Sequence, residues 1–145
     1  MSETFKTGRS RALHAEAMQF GYAILYVDDV EKTVAFYERA FGLRRKMVQP
    51  GEFGELDTGS TKLSFAAKSH VKSLFPIPIQ RSGPEHDAPP LEIALVTNDV
   101  EAAFDRAIAT GAVAVAKPTK KPWGQIVGYV RDNNGFLVEL CTPIE

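Results

Sequence analysis

"ILYVDDVE" at residues 24–31 and "ALVTNDVE" at 94–101 are one phrase written twice, seventy residues apart, with Leu, Asp, Val and Glu identical. Self-similarity of this kind has to be settled before any fold is assigned. Each copy reads as a strand, then an acidic or amide helix cap, then the start of a helix. Asp28 and Asp29 precede the apolar stripe Val30, Val34, Tyr37 and Phe41, and Gly42 supplies the stop. Asn98 and Asp99 precede Val100, Ala103, Phe104, Ala107 and Ile108, and Gly111 ends that helix.

Short strands follow each helix. In the first half they are expected at Arg44–Val48, Gly54–Asp57 and Lys62–Ala67, and in the second at Val113–Ala116, Gln125–Val130 and Phe136–Cys141. "DTGS" (57–60) and "DNNG" (132–135) are tight-turn sequences joining the last two strands of each half. Each half therefore reads β-α-β-β-β, and the chain divides into a tail at 1–17, a first module at 18–68, a linker at 69–90 and a second module at 91–145. The linker, "SHVKSLFPIPIQRSGPEHDAPP", holds five prolines. The fold class is α+β: two tandem βαβββ modules whose curved mixed sheets surround a cavity.

The strands carry apolar residues on both faces, as expected if a helix covers one face and a hollow lies against the other. Alternation puts Phe20, Tyr22, Ile24 and Tyr26 on one side of the first strand, and Ala23, Leu25 and Val27 on the other. In the second module Leu91, Ile93 and Leu95 are assigned to the helix side, leaving Glu92 facing inward. "FLVEL" (136–140) raises the same question, because Glu139 interrupts an otherwise apolar strand. A carboxylate there is paired, protonated or lining a cavity. Superposing the halves matches Tyr22 with Glu92 and Ser64 with Glu139, a polar quartet expected to converge where the sheets meet.

Bulk properties exclude several functions. With 145 residues, 44% hydrophobic and 24% charged, the chain builds a core without a disulfide. A net charge of −1 argues against nucleic acid as the main partner. The lone Cys141 fits a reducing cytoplasm, rules out an internal disulfide and reads as a small buried hydrophobe. No apolar run reaches the length of a membrane span, and the polar N-terminus does not resemble a secretory signal. A membrane role is not expected, and the expected location is the cytoplasm.

At this point the chain resembles the vicinal oxygen chelate superfamily: glyoxalase I, bleomycin- and fosfomycin-resistance proteins and extradiol dioxygenases. "ILYVDDVEKTVAFYERAFGL" (24–43) and "KPWGQIVGYVRDNNGFLVEL" (121–140) carry the resemblance, in the family's order and on a doubled βαβββ. The resemblance implies that four equivalent strand positions hold a divalent metal, through His or Glu, in the metal-dependent members. Glu139 falls on the last of these positions and Glu92 where a His is usual, while Tyr22 and Ser64 replace the first-half ligands. Neutral hydroxyls are poor ligands, so no cofactor is expected, with a divalent metal held by Glu92 and Glu139 as the alternative.

The expected site is therefore Glu139 and Glu92 as the chemically active carboxyls, with Tyr22, Ser64, Glu55 and Trp123 as ligand-binding residues. Each has a plainer reading. The acids can be tied to neighbours such as Tyr22 or Ser64, Glu55 can be a solvated edge residue, and Trp123 can be packing. Lys117, Lys120 and Lys121 read as a solvated loop, His70 and His86 as surface residues, and His14 as part of the tail. The leading function is binding of a small organic molecule in a carboxylate- and aromatic-lined pocket of a homodimer, without a catalytic metal. The alternatives are a metal-assisted lyase or isomerase resembling glyoxalase, and a dimeric interaction protein with a vestigial pocket.

Overall fold

Both helices begin and end where the repeated phrase requires. The computed structural model describes residues 17–144, so the expected tail, with His14, lies outside the described residues save for its last position. Strand β1 (Tyr22–Val27) leads into helix α1 (Val30–Phe41), followed by β2 (Arg44–Gln49), β3 (Phe53–Asp57) and β4 (Lys62–Ala67). The second module repeats this as β5 (Glu92–Val96), α3 (Val100–Thr110), β6 (Val113–Lys120), β7 (Ile126–Arg131) and β8 (Leu137–Cys141). The side chain of Asp29 accepts from the Lys32 amide at 2.9 Å, and that of Asp99 from the Ala102 amide at 3.0 Å. Each N-cap is worth about 1 kcal/mol. Gly42 (φ 70) and Gly111 (φ 117) close the helices in a left-handed conformation that a β-carbon would strain.

The sheets have identical topology, β1-β4-β3-β2 and β5-β8-β7-β6, with the first strand of each module at one edge and parallel to the last. Register shifts between Arg45 and Met47 in β2, and between Ala114 and Ala116 in β6, fall at matching places. A bulge at the same point of both outer strands bends the two sheets alike. β3 runs close beneath α1, where a β-carbon on Gly54 would come within 2.9 Å of Val30 and 3.0 Å of Val34.

Each helix covers one face of its own sheet, and the modules join through α1 and α3. The result is one shared core, running from Leu25, Val34 and Phe65 in the first module to Phe104, Val130 and Val138 in the second. Arg106 of α3 donates to the carbonyl of Arg39 in α1 at 2.8 Å. A polar latch crosses the same junction: the Tyr37 hydroxyl donates to Asp132 Oδ2 at 2.6 Å, and Asn134 Nδ2 donates to Thr33 Oγ1 at 2.9 Å. Tyr37, expected as plain helix core, is buried but also holds this carboxylate.

The linker is more ordered than its prolines suggest. It opens in a short helix, α2 (Lys68–Lys72), which the sequence reading did not include. The Lys68 ammonium donates to Ser82 Oγ at 2.8 Å and lies 3.3 Å from Asp28. Arg131 donates to the carbonyls of Gly83, Pro84 and His86, binding the linker to the β7–β8 turn. No helix among the described residues is long and apolar enough to cross a membrane.

Candidate functional site

With one face of each sheet spent on its helix, the other face carries the polar side chains. In the second module Glu139 stands directly beside Tyr129 of β7 and Ala94 of β5. Glu92 precedes Ala94 by two residues and so shares that face, diagonal to Glu139. The Tyr129 hydroxyl donates to Glu139 Oε1 at 3.3 Å. The hydrogen bond with Glu139, assisted by burial and by charge repulsion, raises the Glu92 acid above the usual carboxylate range. Burial first, and then the two carboxylates, also raise Tyr129, which keeps its proton and stays a donor. The neighbouring Cys141 thiol is pushed up to about 11, mainly by burial. It is therefore an inert, buried group, as its sequence context suggested.

In the first module the corresponding residues exchange roles. Glu55 of β3 stands directly beside Ser64 of β4, just as Tyr129 of β7 stands beside Glu139 of β8. One module thus pairs an acid on the third strand with a hydroxyl on the fourth, and the other does the reverse. A tyrosine reaches across the strand gap to its carboxylate, but a serine does not. Ser64 is 0% exposed, and both its Oγ and Glu55 Oε2 are buried without a hydrogen-bond partner among the described residues. The Lys46 ammonium lies 3.6 Å from that same Glu55 oxygen, close enough for ion pairing but too far for a hydrogen bond.

The structure brings together Glu92 with Glu139, and Glu55 with Ser64. Tyr22 lies on the Ser64 face but at the sheet edge, 51% exposed. Among the described residues no hydrogen bond or ion pair joins Tyr22 or Ser64 to Glu92 or Glu139. The two polar groups sit on separate sheets whose modules meet through their helices. Trp123 occupies the β6–β7 turn, 67% exposed, with its indole donating to Gln125 Oε1 at 2.9 Å. Tyr129 was absent from the sequence reading. Its signal was the match of "FGEL" (53–56) with "VGYV" (127–130), which pairs it with Glu55.

A cleft of ≈ 840 Å³ opens between the modules beside β5. Its walls are largely apolar, including Phe41, Leu43, Leu63, Ile93 and Leu95, with Asp57, Glu92, Asp99, Lys62 and Arg106 supplying charge. Glu92 therefore connects the cleft to the acid pair.

Toward a divalent metal, the second module of one chain offers the two carboxylates Glu92 and Glu139 on one sheet face. No group of three or more His, Cys, Asp or Glu is placed to hold an ion among the described residues. Ser64 and Tyr22 contribute only neutral hydroxyls, which are poor ligands.

Residues 19–140 match the family model of the Glyoxalase/Bleomycin resistance protein/Dioxygenase superfamily. An uncharacterised Mycobacterium bovis protein is 29% identical over 129 residues, covering 83% of this chain and 80% of that protein. Among solved structures, a glyoxalase-related enzyme from Fulvimarina pelagi aligns with a TM-score of 0.74 at 18% identity, covering 88% of this chain and 89% of that one. TioX from Micromonospora sp. ML1 aligns with a TM-score of 0.64 at 26% identity, covering 86% and 98%.

Proposed function

The chain belongs to the Glyoxalase/Bleomycin resistance protein/Dioxygenase superfamily, and we propose that it binds a small organic molecule there without a catalytic metal. The observation that carries this reading is the Glu92–Glu139 pair, set on a bare sheet face with Tyr129 bonded to one of its oxygens. Tyr129 fixes Glu139, while Glu92 holds its proton more readily than an ordinary carboxyl. Such a pair offers a donor and an acceptor side by side and moves a proton between them at little cost. The apolar cleft next to Glu92 supplies room for the body of the ligand.

The pocket is completed by a second copy of the chain. Among the described residues β1 and β5 are edge strands with one free side, and they and their flanks expose Phe20, Tyr22, Ile24, Leu91 and Val96. Apolar edges of this kind favour a partner strand or sheet. In the proposed homodimer, module one of each subunit faces module two of the other. Tyr22, Ser64 and Glu55 then line the same hollow as Glu92 and Glu139, with Trp123 at its mouth.

A thermal-shift panel of aromatic, cationic and thiol-conjugated compounds tests the binding, with Glu139→Gln expected to abolish any response. Mixing Glu139→Gln with Ser64→Ala subunits tests the sharing: if each site spans two chains, heterodimers regain one intact site. Mixtures that never recover binding refute the shared pocket. Tight stoichiometric uptake of Mg²⁺, Mn²⁺, Ni²⁺ or Zn²⁺ that depends on Glu92 and Glu139 refutes the metal-free reading.

A further inference from the structure

Two buried polar atoms without partners stand side by side on one sheet face, and that is costly. Among the described residues, Ser64 Oγ and Glu55 Oε2 are both buried with no hydrogen-bond partner, although their residues are directly opposed in the β3–β4 register. Core positions that serve only packing are rarely left this way, because each unmet group retains its desolvation penalty. The second module shows what is missing. At the equivalent place Tyr129 puts a hydroxyl against Glu139, which is the group the shorter Ser64 cannot deliver to Glu55.

We propose that the Glu55–Ser64 pair is a ligand subsite for a hydroxyl group, whose O–H donates to Glu55 Oε2 and whose oxygen accepts from the Ser64 hydroxyl. This deepens the proposed function and rests on it, since it names the polar end of the ligand. A neutral hydroxyl suits the pair better than an ammonium, because Lys46 already stands 3.6 Å from Glu55 as its cation. The Lys46 side chain is itself 56% exposed, so it can swing aside as the ligand enters and return to Glu55 as its cation. Its position over Glu55 follows from the β2 bulge between Arg45 and Met47. The ligand hydroxyl would thus play in module one the part that Tyr129 plays within module two.

The test uses p-cresol and its methyl ether, 4-methylanisole, with the intact full-length protein followed by amide NMR and thermal shift. The expected result is that p-cresol shifts the amides of Glu55 and Ser64 and binds at least ~10-fold more tightly than the ether, the equivalent of one good hydrogen bond. Ser64→Ala and Glu55→Gln should each weaken p-cresol by roughly 5- to 10-fold. Ser64→Ala should at the same time raise the melting temperature of the unliganded protein by a few degrees, because it removes an unsatisfied buried hydroxyl. A purely structural serine would show lower stability and unchanged binding on the same substitution. Equal binding of cresol and ether overturns the proposal, as does a water bridging Ser64 and Glu55 that persists in a cresol-soaked crystal. Cresol perturbing only the Glu92–Glu139 face sinks this subsite but leaves the pocket standing. No perturbation of either face sinks both.

Discussion

Tyr37→Phe removes one hydroxyl from the junction of the two modules and should cost far more than its size suggests. The Tyr37 hydroxyl donates to Asp132 Oδ2 at 2.6 Å, while Oδ1 accepts from the amides of Asn134 and Phe136, each at 2.8 Å. Deleting the hydroxyl leaves Oδ2 of a 1% exposed carboxylate without that donor. A hydrogen bond to a charged group contributes about 1.5–3 kcal/mol, so a loss of roughly 2 kcal/mol is expected near neutral pH. For a chain of this length that is a fall of about 4–8 °C in melting temperature. The pH dependence follows from the direction of the Asp132 shift. Burial raises its acid above the usual range, and Tyr37 is first among the groups pulling it back down. A carboxyl raised in the fold contributes stability that is fully present below its unfolded value and lost as pH rises through its folded value. Removing Tyr37 raises the folded value further and deepens that loss. The destabilisation should therefore be largest at pH 7 and shrink toward pH 4. Urea unfolding of both proteins at pH 7, 5.5 and 4 measures it. A loss under ~0.5 kcal/mol at pH 7, or one that does not change with pH, would refute the view that this bond secures an ionised acid between the modules.

The same physics gives three further expectations. Glu92→Gln should raise the melting temperature by about 1–2 °C at pH 7.5 and have no effect near pH 4. The Glu92 acid is raised in the fold, so its ionisation is what the protein pays for at higher pH; a gain confined to acid would contradict this. Gly54→Ala should destabilise by about 1–3 kcal/mol in denaturant titrations, because the new methyl meets Val30 and Val34 of α1 at 2.9 and 3.0 Å. An unchanged unfolding midpoint would show that α1 can move away at no cost. Cys141, buried and pushed up to about 11, should react with iodoacetamide at pH 7.5 at least ~100-fold more slowly than free cysteine. Fast labelling of the folded protein would contradict that environment.

The polar residues differed sharply in how visible they were before the fold was known. Glu139 and Glu92 stood out because a carboxylate in an alternating apolar strand violates the local pattern. Tyr129 breaks no such pattern, since tyrosine is at home in strands; only its register against Glu139 gives it a role. Ser64 was found through the repeat, but its lack of a partner is a matter of reach across a strand gap, which spacing does not encode. The linker shows the opposite error of emphasis. Its prolines marked it as a linker, yet Arg131 and Lys68 hold it in place through carbonyls and a serine that have no sequence signature.

The residues alone determined the doubled module, both helices with their caps, the pairing of strands by their turns and the faces on which the acids lie. All of these depend on interactions within a few positions, or on the period-two alternation of a strand, so they are written in local order. Tertiary structure decided that α1 and α3 form the junction, that Tyr37 secures Asp132 across it, and that Glu92 leans on Glu139 while Ser64 and Glu55 stay unmatched. Those outcomes turn on whether side chains far apart in the chain come within ~3 Å, a distance set by packing of the whole core.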